Sequence, residues 1–577
     1  MHKPPNLKRR ALVRGLAATS LLPLLGSNLM GCSDSSDSAP SEDFDDIAVS
    51  FLHGVASGDP LSDRVILWTR VTPESEGQPR VSWEIATDVD FSDVVASGAG
   101  TTSADVDYTV KVDASGLSAD SQYYFRFISG DAVSPMGRTR TLPSGSVAAA
   151  SFAVVSCSNY PAGYFHVYRE VANSDVDAVL HLGDYLYEYS TTGYASDRAE
   201  EFGRVVEPAN EILSLSDYRL RYALYRTDPD LQAAHAAHPF FIVWDDHEVA
   251  NDTWREGAEN HDPATEGDFF ERRAAAIQAW YEWQPVRPPE ELPDIIYRRF
   301  QYGNLLDLLM LDTRIIGRDR QFTYAEFANG GSIDVEGARA AFGAADRTVL
   351  GANQRDWLRE QLAASSARWQ VLGQQVLFGR YQLPAPIMEA LDPSLGSTDA
   401  IATGTAAVFA ALEAKNKAPD DRTAEEQALL DSAIPYNLDA WDGYEAERDD
   451  LLRFARDVDS RLVVLAGDTH NAWSSQLTTP EGAIAGVEFG CASVSSPGLE
   501  DALGADNAAL FAPLVSTLID DLVDANLSHR GYLYVQLTSD GLRAEQRFIS
   551  GVDATSYQVE ENLTRAFTVE RNDLALR

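Results

Sequence analysis

The sequence predicts an α/β body preceded by an antiparallel β-sandwich. Three observations predict it. Residues 47–146 carry short runs of period-two alternation separated by turn residues. From residue 147 onward, continuous apolar runs alternate with long helix-compatible segments, the pattern of strands buried on both faces with helices between them. Four of these later runs end in clusters of Asp, His, Cys and Tyr, side chains suited to metal chemistry.

The composition permits a large core and excludes several classes. The chain has 577 residues, 45% of them hydrophobic, which rules out global disorder and leaves room for more than one domain. With 46 Lys+Arg against 88 Asp+Glu, the formal charge is −42, so a nucleic-acid-coating role is excluded by repulsion of phosphates over most of the surface. Three cysteines, Cys32, Cys157 and Cys491, are too few for a disulfide scaffold.

Residues 1–31 read as an export signal. Lys3, Lys8, Arg9, Arg10 and Arg14 occur with no acidic residue, and an interrupted apolar run follows to Met30, short for a membrane span. Arg9-Arg10 before Ala11-Leu12-Val13 resembles a twin-arginine signal, which implies the twin-arginine export machinery as a partner. Leu29-Met30-Gly31-Cys32 resembles a lipobox, which would make Cys32 the lipidated first residue of the mature protein. The alternative is a plain secretory signal ending near a cysteine. Residues 32–46, rich in Ser and Asp, read as a flexible tether. The expectation is an exported, periplasmic or cell-surface protein, touching the membrane only through its lipid anchor.

In the sandwich region, Arg64–Arg70 and the runs 81–85, 108–112 and 123–127 alternate and are bounded by Gly, Ser, Asp or Pro, as half-buried strands are. No catalytic constellation occurs there. In the α/β body (147–577), the strand candidates are 152–155, 178–182, 240–244, 305–311, 369–372 and 462–466. Helices are expected at Phe269–Trp283 and 354–364, and an Ala-rich excursion over 387–433 is expected near the site.

Residues at the carboxyl ends of strands in an open α/β sheet converge on one crevice. The first run ends Ser156-Cys157-Ser158-Asn159, the second Gly183-Asp184-Tyr185-Leu186-Tyr187-Glu188. The third ends Asp245-Asp246-His247-Glu248 and the last Gly467-Asp468-Thr469-His470-Asn471. Each piece alone has a plain structural reading: a buried thiol, a turn aspartate, a surface histidine. Together they suit a two-metal site with one shared carboxylate and a free imidazole. Asp468 and His470 are two apart, so they are expected on the same side of an extended segment.

This motif set resembles the alkaline phosphatase D (PhoD-like) family of metallophosphoesterases. Supporting matches are His53-Gly54-Val55-Ala56-Ser57-Gly58-Asp59-Pro60, Leu311-Asp312-Thr313-Arg314, Asp439-Ala440-Trp441-Asp442-Gly443-Tyr444 and Ser495-Ser496-Pro497-Gly498. The resemblance implies a four-layer metallophosphoesterase sandwich, of the calcineurin-like and purple-acid-phosphatase-like kind, behind an Ig/fibronectin-like β-sandwich. It implies that Cys157, Asp184, Tyr187 and His470 hold a ferric ion, whose high charge suits thiolate and phenolate. Asp184 would bridge to a second site with Asp246 and Asp468, an oxygen-rich set that suits Ca2+, with the number of calcium ions left open. In the wider purple-acid-phosphatase-like group, Asn and His stand where this chain has Asp246 and Asp468.

The implied activity is hydrolysis of phosphate esters, small molecules or polymers, by an alkaline phosphatase or phosphodiesterase outside the cytoplasm. His247 would stabilise the transferred group or protonate the leaving oxygen, and Asn251 or Arg255 would contact phosphate. Two alternatives stay open at this level: a phospholipase D-like or polymer-directed phosphodiesterase on the same site, and an inactive anchored phosphate-binding protein. Cys491 has no task, and its pairing with Cys157 in a disulfide would exclude the ligand role of Cys157.

Overall fold

The structure is a computed structural model that describes residues 47–289, 295–329, 332–391 and 400–577. The signal-like segment 1–31, the lipobox residue Cys32 and the rest of the tether to residue 46 lie outside the described residues.

Two large sheets form the α/β body. In spatial order the nine-stranded sheet runs Arg565–Glu570, Gly541–Ile549, Arg530–Thr538, Ala149–Val155, Ala178–His181, Pro239–Ile242, Val55–Gly58, Arg64–Arg70 and Thr109–Ser115. The seven-stranded sheet runs Arg298–Tyr302, Leu306–Met310, Trp369–Gly373, Leu462–Ala466, Ile484–Gly490, Ala472–Thr478 and Leu522–Asn526. In the first, the strands from Ala149–Val155 to Val55–Gly58 are mutually parallel; in the second, those from Leu306–Met310 to Ile484–Gly490 are. These strands are fully buried or nearly so, which is why the sequence shows them as unbroken apolar runs rather than alternation.

The two sheets face one another across a shared core. Val154, Leu180 and Phe241 of the first meet Leu306, Val371 and Leu465 of the second in one cluster. Ring contacts cross the gap, Phe152 with Tyr302 at 5.3 Å and Phe241 with Phe300 at 4.5 Å. A second apolar cluster joins Leu309, Leu372 and Val464 of the seven-stranded sheet to Leu358 of helix Gly351–Ala364 and Leu451 of helix Glu445–Asp457. Helix Phe269–Trp283 starts at Asp268, whose side chain accepts the Phe270 N–H at 2.7 Å, and helix Pro229–Ala237 starts with Asp228 as cap and Pro229 as first residue. Among the described residues no helix is long and apolar enough to cross a membrane.

The N-terminal β-rich region does not stand apart from this body. A five-stranded sheet built on Arg80–Ala86 and Gln122–Ser129 packs through Ile85, Phe125 and Phe127 onto Val55, Val65 and Leu67. Those last residues belong to strands of the nine-stranded sheet. Strand Arg64–Arg70 therefore serves two cores at once: Val65 and Leu67 face the sandwich, while Trp68 faces the α/β body and donates its Nε1–H to the Glu282 carbonyl at 2.8 Å. The link is the parallel pairing of Val55–Gly58 with Pro239–Ile242, which the sequence does not signal. At the seam, Asp59 takes a two-pronged ion pair from Arg298, 3.0 Å to Nε and 2.8 Å to Nη2.

The excursion contains helices Ala385–Leu391, Ala400–Lys415 and Ala424–Asp431, and leaves and returns through the paired segments Gln382–Pro384 and Ala433–Pro435. Among the C-terminal strands, for which the sequence offers no distinctive motif, Arg530–Thr538 pairs antiparallel with Ala149–Val155, Gly541–Ile549 pairs with Arg530–Thr538, and Arg565–Glu570 closes that edge of the first sheet.

Candidate metal centre

The four strand ends meet. Three overlapping groups of ligand atoms, each within 4.8 Å of one another, occur among the described residues: Cys157 with Asp184 and His470, Asp184 with Asp246 and His247, and Asp245 with Asp246 and Asp468. Tyr187 joins the first group, its hydroxyl 3.0 Å from Asp184 Oδ2 and 3.1 Å from His470 Nε2. Asp184 is shared by the first two groups, as a bridging carboxylate must be.

The loops that make this possible are tightly tied. The Cys157 N–H donates to the Gly183 carbonyl at 3.1 Å and the Ser158 N–H to the Asp184 carbonyl at 2.9 Å, locking the first strand end to the second. Glu248 accepts the N–H groups of Asp184, Tyr185 and Asp245, locking the second to the third. Ser496 donates to the Tyr187 oxygen at 2.6 Å, and the Pro497 carbonyl takes His470 Nδ1 at 2.6 Å, so Nε2 is the nitrogen turned to the cluster. The Ser495–Gly498 motif thus acts as a back wall.

Backbone strain concentrates here. Cys157, Asp184, Asp468 and His470 all have positive φ, between 54° and 67°. Left-handed backbone costs a non-glycine residue about 1–2 kcal/mol, so packing around the site must hold it in place. This corrects one expectation. Asp468 and His470 do not sit on one side of an extended segment. The left-handed turns at both residues send Asp468 into the carboxylate group with Asp246 and His470 to Cys157.

Gly183 illustrates the tightness. At φ +106° its position would place a Cβ 2.3 Å from Asp245 Cβ and 2.7 Å from Asp245 N. Gly183→Ala is expected to cost about 2–3 kcal/mol in denaturant unfolding and to open the junction between the second and third strand ends. A variant as stable as the parent would show that the junction yields without cost.

His247 is buried at the second group. Its Nδ1 lies 2.7 Å from Glu188 Oε2, and Glu188 is itself held by the Asn260 amide and the Asn251 N–H, both at 2.8 Å. The imidazole ring is 4.1 Å from the Tyr187 ring. Burial alone would lower its pKa, but Glu188, Asp246 and Asp184 outweigh burial and hold it well above the ordinary value. His470, by contrast, is pushed down to about 4 by burial, which keeps it neutral and able to bind a metal.

The sequence reading missed Arg314. It is fully buried, pairs with Asp245, Asp439 and Asp468, and reaches Asp246 at 3.6 Å. Its signal was the Leu311–Arg314 motif, matched by pattern without a role. Glu188 and Asp245 likewise lie within the strand-end motifs, and their roles, holding His247 and pairing with Arg314, show only in the structure. Of the two residues expected to touch phosphate, Asn251 reaches the centre through its N–H on Glu188, and the Arg255 guanidinium is engaged by Asp319 at 2.6 Å. Cys157 and Cys491 are both free, buried thiols, with Ser156 Oγ between them at 3.1 and 3.4 Å.

The donor set fits metal ions on chemical grounds. Asp184 Oδ1 is buried with no hydrogen-bond partner. Burial pushes the Cys157 thiol, the Tyr187 phenol and the Asp184 carboxyl all well up, each aggravated by neighbouring acids. Asp468 is raised to about 7 by burial, with Arg314 opposing. So many acidic groups buried together cannot all ionise without added positive charge, which makes the cluster a candidate for bound cations.

A two-sheet α/β fold whose strand ends gather Cys, Asp, Tyr and His ligands beside a carboxylate-held histidine defines a phosphoric ester hydrolase. Comparison with known proteins gives the particular family. The PhoD-like phosphatase model matches residues 152–546, and the PhoD-like phosphatase N-terminal domain model matches residues 37–143. Alkaline phosphatase D of Bacillus subtilis (strain 168) is 34% identical over 547 residues, covering 91% of this chain and 82% of that one. A solved structure of PhoD is 32% identical, with a TM-score of 0.74 and 93% of each chain covered. The chain belongs to the PhoD-like phosphatase family.

Proposed function

We propose that the protein is a metal-dependent alkaline phosphatase and phosphodiesterase that releases phosphate from organic phosphate esters outside the cytoplasm. The observation that carries this is the convergence of Cys157, Asp184, Tyr187 and His470 beside Asp246 and Asp468, with His247 at their junction. In this reading Fe3+ is held by Cys157, Asp184, Tyr187 and His470, and Ca2+ by Asp184, Asp246 and Asp468. Bound cations supply Lewis-acid charge that stabilises the phosphoryl oxygens as charge builds on them.

The chain's own residues do the rest. Glu188 fixes the His247 ring and leaves Nε2 free to give a proton to the departing oxygen. The Asp252 N–H, 2.6 Å from Asp246 Oδ2, and Arg314 orient the second carboxylate group. The paired sheets support reading the body 147–577 as a four-layer metallophosphoesterase sandwich, with 47–146 as the β-sandwich domain. The basic, apolar, cysteine-terminated start supports export through the twin-arginine machinery and anchoring at Cys32.

The test is elemental analysis of the exported full-length protein together with assays of a monoester, a bis-ester and a phospholipid, before and after chelation. Iron and calcium in the active protein, with turnover of the first two esters lost on chelation and restored by metals, is the expected result. Turnover that survives complete metal removal overturns the proposal. Dominant turnover of the phospholipid favours a phospholipase-like enzyme on the same site. A ferric ion held by phenolate and thiolate also predicts a visible charge-transfer band. Tyr187→Phe is expected to shift or abolish it, and a metal-replete active sample without the band refutes the ferric assignment.

A further inference from the structure

The loop after the second strand end carries two aromatic rings that the hydrolytic chemistry does not use. Tyr189 and Tyr194 are only half-buried, unlike Tyr185 and Tyr222 behind them, which are fully buried. The Tyr189 ring lies 5.5 Å from His247 and 6.0 Å from the Tyr194 ring. Tyr194 stacks on His470 at 6.2 Å, and its hydroxyl donates to the Pro497 carbonyl at 2.8 Å. The two rings therefore flank the centre, Tyr189 beside His247 and Tyr194 beside His470.

The loop that holds them is built rather than loose. The Gly193 N–H donates to Ser190 and the Thr191 N–H to Ala209, both at 3.0 Å, and the Asn159 amide holds the Tyr194 carbonyl at 3.4 Å. A Cβ at Gly193 would lie 2.4 Å from Tyr189 Cβ, so the chain folds back directly onto that ring. A group leaving phosphorus takes its proton within hydrogen-bond reach of His247, so whatever is attached to that oxygen lies close to the rings around the imidazole. Tyr187, at 4.1 Å, belongs to the ligand group; the other ring beside the imidazole is Tyr189, at 5.5 Å.

We propose that Tyr189 and Tyr194 form a leaving-group subsite that selects phosphate esters bearing a flat aromatic group, such as a nucleoside or aryl moiety, over aliphatic esters. Half-buried rings offer such a group a face to stack on at little ordering cost. The charge of −42 points the same way, because it disfavours long polyanions and tolerates a small ester whose recognition is by stacking. The proposal rests on the phosphoester-hydrolase reading above.

Adenosine 5′-monophosphate and glycerol 3-phosphate test it, since both leave as primary alkoxides and only the first carries an aromatic base. With the metal-replete full chain, Tyr189→Leu is expected to lower the kcat/KM ratio of the nucleotide to the glycerol ester about tenfold, mainly through KM, while Tyr189→Phe keeps the ratio. Binding of adenosine, which has no phosphate, is expected in saturation-transfer NMR of the parent and to be lost in Tyr189→Leu. An active parent whose ratio does not move in Tyr189→Leu, or adenosine binding that survives the substitution, overturns the subsite alone. A parent inert towards both esters overturns the hydrolase reading as well.

Discussion

Replacing His247 with alanine is expected to lower kcat by about 10²–10⁴-fold, the span that a positioned general acid contributes. The side chain is held for this role: Glu188 takes Nδ1 at 2.7 Å and the Tyr187 ring lies 4.1 Å away, which leaves Nε2 for the departing oxygen. The hydrogen bond to Glu188 favours the protonated imidazole against burial, as an acid in this position requires. The loss is expected in kcat with metal content unchanged, because His247 is not in the proposed ligand set. An ester with a highly acidic leaving group needs little protonation and should suffer least. Full turnover in His247→Ala, or an equal loss for all leaving groups, refutes the acid role. Glu188→Gln keeps the shape and removes the charge, so an intermediate loss of kcat is expected.

Arg314→Met is expected to cost about 3–5 kcal/mol of stability, as removing one partner from a buried ion pair does, and to abolish activity. The guanidinium is fully buried and is the fixed positive charge that Asp245, Asp439 and Asp468 share, with Asp246 within 3.6 Å. Its neighbour Arg318 also reaches Asp439, but none of the other three. Without Arg314 the aspartates must protonate, separate or recruit other cations. Denaturant melts of the metal-free forms isolate the protein's own contribution, and calcium titration of both forms shows whether the carboxylates still bind in the right place. Arg314→Lys is expected to rescue little, since one ammonium cannot reach carboxylates on several sides of a planar fork. Unchanged stability in Arg314→Met would mean that the aspartates are already largely neutral.

Much of the site was legible because each piece sits at a strand end, and strands buried on both faces announce themselves as apolar runs. Phe269–Trp283 was legible for a similar reason, with a capping aspartate before a long helical pattern. Three things were not. The left-handed turns at Cys157, Asp184, Asp468 and His470 carry no sequence mark, since Asp and Cys there look like ordinary loop residues. The role of Arg314 depends on carboxylates from three distant segments, so no local spacing reveals it. The fusion of the sandwich with the main sheet rests on two residue pairs, Pro239 with Ser57 and Phe240 with Gly58, in a strand whose composition fits either neighbour.

That fusion governs how the molecule comes into being. The nine-stranded sheet takes strands beginning at residues 55, 64, 109, 149, 178, 239, 530, 541 and 565, so the flank of Ala149–Val155 stays unpaired until the far C-terminal strands have been synthesised. Pairing Ala149–Val155 with Arg530–Thr538 joins segments nearly four hundred residues apart. Such non-local closure is slow, because loop entropy is lost before the contacts that reward it. The N-terminal strands emerge first and must wait with one edge unpaired. Until Pro239–Ile242 pairs with it, Val55–Gly58 presents a free edge of the kind on which another chain can pair.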